Sequence, residues 1–145
     1  MSSTDIVGKT LGGRYKIQSL IGQGGMAAVY KAHDPNLHRS VEIKVIHPHL
    51  SDNPEFFRRF EEEATAVAQL RHPNIVQVYE TGTANGVPYY TMEYVAGESL
   101  AARLSTMREA GELPQEPALS ELSSIVLEVA RAVAYAHAKG VFHRD

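Results

Sequence analysis

The turn signals Asp34-Pro35-Asn36 and Thr83-Ala84-Asn85-Gly86 constrain this chain more than any other feature. Each separates two runs in which apolar and polar residues alternate, the pattern of a half-buried strand. Loops this short join antiparallel neighbours, because a parallel crossover needs a dozen or more residues. AVYKAHD and SVEIKVI therefore read as one hairpin, and IVQVYETG and VPYYTMEYV as another. RYKIQSLIG precedes them as a further strand that ends in a glycine cluster. The expectation is a five-stranded, mainly antiparallel sheet.

Between the third and fourth strands, HPHLSDNP forms a loop and DNPE opens a helix. Asp52 or Asn53 can cap it, and Pro54 and Glu55 suit its first turn. It runs to about Leu70, where RHPN breaks it. From Gly97 the pattern turns helical: ESLAARLSTMRE, a connection AGELPQEP, then a long helix from about Ser120 to Lys139 with Gly140 as its C-cap. A small sheet with one main helix, followed by helices, is an α+β architecture.

Composition closes off several functions. The 145 residues suit one domain or part of one, and 43% hydrophobic residues allow a core. A net charge of −3 argues against nucleic acid as a partner. With no cysteine, there are no disulfides, thiolate metal sites or thiol nucleophiles. No apolar run reaches membrane-spanning length, and the N-terminus lacks a signal-peptide pattern.

IGQGGMAAV is the first chemical candidate, because glycines let backbone N–H groups approach a phosphate closely. Two other phosphate motifs fail. GKT at Gly8–Thr10 lacks the first glycine of a P-loop, Ser3 standing in its place. Gly22, Gly24 and Ala27 fit G-x-G-x-x-[GA], and Glu42 is about the right distance on to hold a ribose. That fingerprint needs a helix opening at the loop, whereas AAVYKAHDP is β-like and soon reaches Pro35. His47 and His49 flank Pro48 without a third ligand nearby, so they read as a surface loop. Leu122, Ile125, Val126, Val129 and Val133 recur at helical spacing and read as core packing.

The helix from Pro54 carries the sharpest local inference. At about 100° per residue, Phe56, Phe60, Val67 and Leu70 form an apolar arc, with Glu61 at its rim and Glu62 opposite. Glu63 falls in the middle of the arc. A carboxylate there needs a partner, since unpaired burial is costly. Lys44, on the strand before this helix, is the natural one.

A glycine loop between two strands, a lysine on the third strand, a glutamate on the following helix, and HRD after a long helix together resemble the protein kinase signature. GQGGMAAVYKAHD, RHPNIVQVYETG and MEYVAGESL look most like the bacterial serine/threonine kinases related to eukaryotic ones. The resemblance runs from about Leu11 onward. It implies a kinase N-lobe over residues 11–95 after a flexible N-terminus (1–10), and a hinge exit and truncated helical C-lobe over 96–145.

The implied function is phosphoryl transfer from ATP, with Mg2+, to a protein hydroxyl in the cytoplasm. Ile21 and Val29 would lie against adenine, and the loop between them (Gly22, Gln23, Gly24, Gly25, Met26, Ala27, Ala28) would cover the phosphates. Lys44 would hold the α- and β-phosphates while Glu63 holds Lys44. Met92 would guard the back of the adenine pocket, and the backbones of Glu93 and Val95 would bond the adenine edge. His143 would brace the catalytic loop, Arg144 would neighbour a phosphorylated residue, and Asp145 would accept the substrate hydroxyl's proton.

Two departures stand out. The sequence stops at Asp145, before the metal-binding Asn and the D-F-G aspartate, so the expectation is a half-domain that needs the remaining C-lobe and is inactive alone. The apolar stripe on its last helix would then lack most of its cover. The family pattern V-A-I-K reads VEIK here, with Glu42 at the alanine position and facing the same way as Lys44. Glu42 would point toward the adenine roof, where it can pair with Lys44 or obstruct adenine. A pseudokinase-like interaction module without catalysis is the alternative.

Overall fold

The computed structural model describes residues 6–111 and 118–142. These residues fall into two compact units, one within Met1–Arg71 and Val76–Tyr94, the other within His72–Ile75 and Val95–Asp145.

The first unit is a six-stranded sheet, all of whose pairings are antiparallel: β1 (Thr10–Leu11), β2 (Tyr15–Gln23), β3 (Ala27–Asp34), β4 (Arg39–Ile46), β5 (Val78–Ala84) and β6 (Val87–Glu93). Their spatial order is β1-β2-β3-β4-β6-β5. The expected five strands are thus six. The extra one, β1, pairs with Tyr15 and Lys16 across Gly12-Gly13, whose φ angles of 57° and 69° give the tight primed turn that glycines favour. Strand pairing is therefore present already at Thr10, and the Gly8 amide donates to the Ile17 carbonyl.

Both turn signals act as read. Asn85 and Gly86 have positive φ, the geometry of a two-residue Asn-Gly hairpin. Asp34 accepts from the Asn36 amide at 3.1 Å, an Asx-type turn. It is also fully buried, and Arg14 grips both its oxygens, at 3.0 and 2.6 Å. That guanidinium holds the Asp34 carboxyl below the usual carboxylate range.

The sheet curls, so its two ends meet over one face. Tyr15 and Tyr89 stack edge to face there with Ile17, Tyr30, Val41 and Ile43. The Tyr15 hydroxyl donates to Glu80 at 2.5 Å, and the Arg14 guanidinium reaches the other oxygen of Glu80 at 3.3 Å. Tyr89 lies so close to Gly12 and Gly82 that a Cβ on either would stand 2.4 or 2.6 Å from its ring or hydroxyl atoms.

The opposite face receives α1 (Pro54–Ala68). Asn53 caps it, its side chain accepting from the Glu55 amide, with Pro54 at the first helical position. Phe60 and Ala64 are buried against Ala27, Ile46, Val78 and Tyr90, with Phe56 and Val67 at the margin. The helix ends two residues before the expected Leu70, which is buried just beyond it. The fourth expected strand begins at Val78 rather than Ile75, because the Ile75 amide turns back to the His72 carbonyl.

In the second unit, α2 (Leu100–Glu109) is capped by Ser99, whose hydroxyl accepts from the Ala102 amide. The helix α3 spans Ala118–Ala138, starting two residues before the expected Ser120. Gly140 adopts the expected left-handed C-cap conformation, with φ of 77°. Arg103 and Glu121 join α2 to α3, and Asn74 donates to Glu128. The stripe read as core is not covered: Val126, Val129 and Val133 are 62%, 53% and 38% exposed, while Leu122 and Ile125 are half-buried. Helical spacing reports an amphipathic face, not what lies over it. Among the described residues no helix is long and apolar enough to cross a membrane.

Candidate functional site

The sheet face under α1 gathers the chemistry in the first unit. Alternation puts Ala27, Val29 and Lys31 of β3, Glu42, Lys44 and Ile46 of β4, and Tyr90 and Met92 of β6 on this side. On β4, Lys44 is paired directly with Val29 on one neighbour and Tyr90 on the other.

Lys44 Nζ donates to Glu63 Oε1 at 2.5 Å. Helical phasing placed Glu63 inward, and the structure has it there, with Glu61 and Glu62 exposed and Glu62 spent on Arg58. The pair is not fully dry: the side chains keep 23% and 39% of their surface. A second donor joins them. The Tyr90 hydroxyl donates to the same Oε1 at 2.7 Å, and its ring centroid lies 5.8 Å from Lys44 Nζ. Burial first, then the bond to Glu63, pushes the Tyr90 hydroxyl pKa well up, so it stays protonated and a donor. Sequence reasoning missed this residue, because a tyrosine in an apolar strand reads as core.

The glycine cluster forms the β2–β3 hairpin, with the Gly24 amide bonded to the Ala27 carbonyl at 2.9 Å. None of Gly22, Gly24 and Gly25 has positive φ. A Cβ would meet only ordinary contacts at Gly22 and Gly24, at 3.8 and 3.7 Å, and nothing within 4 Å at Gly25. The described fold itself does not demand glycine here. The hairpin is anchored from β4: His47 Nε2 donates to the Gly24 carbonyl at 2.8 Å, and the His47 amide donates to the Met26 carbonyl at 3.0 Å. His47, read as part of a surface loop, is in fact buried, with His49 stacked on it.

Other candidate residues divide by exposure. Ile21 is 47% exposed, and Gln23 is exposed beside it. Val29 and Met26 are half-buried. Ala27 and Ala28 are buried in opposite cores, so only their backbone can face a ligand. Met92 is half-buried and packs at the edge of the α1 core. The Glu93 amide is taken by the Gln77 carbonyl at 2.9 Å, which leaves its carbonyl as the group to offer. Val95, in the second unit, is exposed. His143, Arg144 and Asp145 lie outside the described residues.

Glu42 does not pair with Lys44, which is held by Glu63. It sits half-buried opposite Lys31 and Met92, and burial raises its pKa. Among the described residues no hydrogen bond or ion pair reaches its carboxylate. The same residues contain no cluster of three or more His, Asp or Glu suited to a metal ion.

Comparison with known proteins fits this arrangement. Residues 15–145 match the protein kinase domain family. Serine/threonine-protein kinase PksC of Streptomyces coelicolor is 42% identical over 139 residues, covering 92% of this chain and 24% of the relative. Serine/threonine-protein kinase PrkC of Bacillus subtilis is 40% identical over 140 residues, covering 97% and 20%. The crystal structure of the Mycobacterium tuberculosis PknI kinase domain is similar with a TM-score of 0.72 and 32% identity, covering 96% of this chain and 54% of that one. The chain thus spans about a fifth of these curated relatives and about half of the solved domain. Glycine hairpin, lysine, inward glutamate and sequence match agree: the chain belongs to the protein kinase domain family.

Proposed function

We propose that this chain is the nucleotide-binding half of an ATP-dependent protein serine/threonine kinase. The Lys44–Glu63 pair, 2.5 Å apart under a glycine hairpin that its own packing leaves open, is the observation that carries the reading. A fixed ammonium beside open backbone amides suits a polyphosphate. Bound ATP supplies the phosphoryl group. Lys44 holds its α- and β-phosphates, and Glu63 keeps Lys44 in place. The amides of Gly22–Met26 cover the phosphates, while Ile21, Val29 and Met92 enclose the base. The Glu93 carbonyl and the Val95 backbone bond its edge, and Asp145 accepts the proton of the substrate hydroxyl.

Residues 11–95 form the nucleotide-binding lobe in this reading and 96–145 begin the helical lobe; the compact units divide one residue earlier, between Tyr94 and Val95, and His72–Ile75 group with the second. Mg2+ belongs to the family's chemistry, but the described residues offer no ligand set for it, and the D-F-G and Asn positions that hold it in kinases are not in this sequence. The 145-residue polypeptide by itself is therefore expected to give no Lys44-dependent phosphorylation of a protein substrate. In this reading the domain acts in the cytoplasm, where ATP and protein hydroxyls are both at hand.

Titrating ATP into the full-length protein tests the reading. A charge-assisted contact contributes about 1.5–3 kcal/mol, so Lys44→Ala should weaken ATP roughly ten- to a hundredfold. Equal affinity in the variant overturns it. Glu42 favours a second reading, a pseudokinase-like interaction module without catalysis: its half-buried carboxylate, without a partner among the described residues, shares the face that would receive the base. Absence of ATP binding in the wild-type protein selects that reading.

A further inference from the structure

We infer that Tyr90 is a positioning residue that holds Glu63, and with it α1, independently of Lys44. The inference rests on the reading of Lys44 as the phosphate-binding lysine and goes beyond it. Three observations converge. The Tyr90 hydroxyl and Lys44 Nζ donate to the same oxygen of Glu63, at 2.7 and 2.5 Å. The two donors stand on adjacent strands as direct register partners, so the sheet fixes their spacing. Tyr90 is 4% exposed and its ring packs on Phe60, one helical turn before Glu63, with centroids 5.0 Å apart.

The arrangement separates two jobs that one ion pair would have to share. A lysine that also holds a phosphate divides its charge between two anions, and a helix held through that shared lysine alone is held less firmly. Here the phenol stays behind. It carries no charge to be drawn toward a polyphosphate, and its ring is clamped by the core. Glu63 therefore keeps a donor whether or not Lys44 is occupied.

The test is a double-mutant cycle on the full-length protein, read by amide hydrogen exchange across α1 with the β3 and β4 amides as the reference for global stability. Lys44→Ala and Tyr90→Phe are each expected to change α1 exchange by no more than about threefold, because one donor remains. The double variant should accelerate it by at least about tenfold beyond the product of the two. Additive effects overturn the proposal. So does a Tyr90→Phe change that speeds β3 and β4 as much as α1, or leaves the protein unfolded, since the hydroxyl would then serve the core generally.

ATP separates this proposal from the reading beneath it. In Tyr90→Phe alone, saturating ATP should loosen α1, whereas in wild type it should not. If the wild-type protein binds no ATP, the nucleotide reading fails while the ligand-free cycle still decides the role of Tyr90. If ATP binds and leaves α1 of Tyr90→Phe unchanged, the independence of Tyr90 from Lys44 occupancy is overturned.

Discussion

Replacing Glu42 with alanine should tighten ATP binding. The carboxylate lies two residues before Lys44 on the same face of β4, half-buried, opposite Met92 and without a partner among the described residues. A base brought over this face strips the remaining water from it. An uncompensated polar group costs about 1–3 kcal/mol by mutational measure. Glu42 is already partly desolvated, so the lower half applies, about 1–2 kcal/mol. That is roughly a five- to thirtyfold gain in affinity for Glu42→Ala.

Protonation is the other route. From an ordinary glutamate pKa near 4.3, neutralisation at pH 7 costs up to about 3.7 kcal/mol, less here because burial has already raised the pKa. The sign then sets the pH dependence. Lower pH protonates wild-type Glu42 and removes the penalty, so the affinity gap between wild type and variant should narrow from pH 8 toward pH 5. Titration calorimetry of both proteins with ATP across that range is the assay. Unchanged or weaker binding in Glu42→Ala, or a gap that widens on acidification, would refute the reasoning.

Other perturbations probe the scaffold. Gly82→Ala places a Cβ 2.6 Å from the Tyr89 ring and should lose about 1–3 kcal/mol, several degrees in Tm; Tyr89→Leu in the same chain should restore part of it. His47→Ala removes the bond to the Gly24 carbonyl and should speed amide exchange at Gly24 roughly three- to tenfold, from a net bond of about 0.5–1.5 kcal/mol, with β5 and β6 unchanged. Arg14 lowers the Asp34 pKa, so their contact contributes stability above the ordinary carboxylate range and loses it as pH falls through the depressed value. The Tm gap between wild type and Arg14→Met should therefore shrink on acidification below about pH 4.

What the sequence disclosed follows its physics. Glu63 was legible because a charge on an apolar helical arc conflicts with burial, and the conflict names a partner class. The hairpins were legible because Asn85-Gly86 and Asp34-Pro35-Asn36 carry their turn chemistry locally. β1 was signalled by Gly12-Gly13 but is only two residues long, too short to show alternation. Tyr90 was not legible, because its hydroxyl partner depends on the register of β4 against β6 and on how α1 docks. His47 was hidden likewise, since its acceptor lies 23 residues back on another hairpin. The α3 stripe was legible as a face and silent about its cover.

The curl that brings Tyr15 to Glu80 has a consequence in time. The two residues are 65 apart in the chain. At a synthesis rate of about 5–20 residues per second, β2 leaves the ribosome roughly 3 to 13 seconds before its partner carboxylate. Meanwhile β2, β3 and β4 can pair, but Tyr15, Ile17, Tyr30 and Ile43 have neither Tyr89 nor the β5–β6 hairpin near them. Such a meander presents an open apolar face, and its β4 edge awaits β6. Contacts of this range also slow folding, because the loop must close before it is rewarded. A newborn chain is thus most exposed to wrong pairing until β6 has emerged behind Glu80, and factors that shield nascent chains have most to do in that interval.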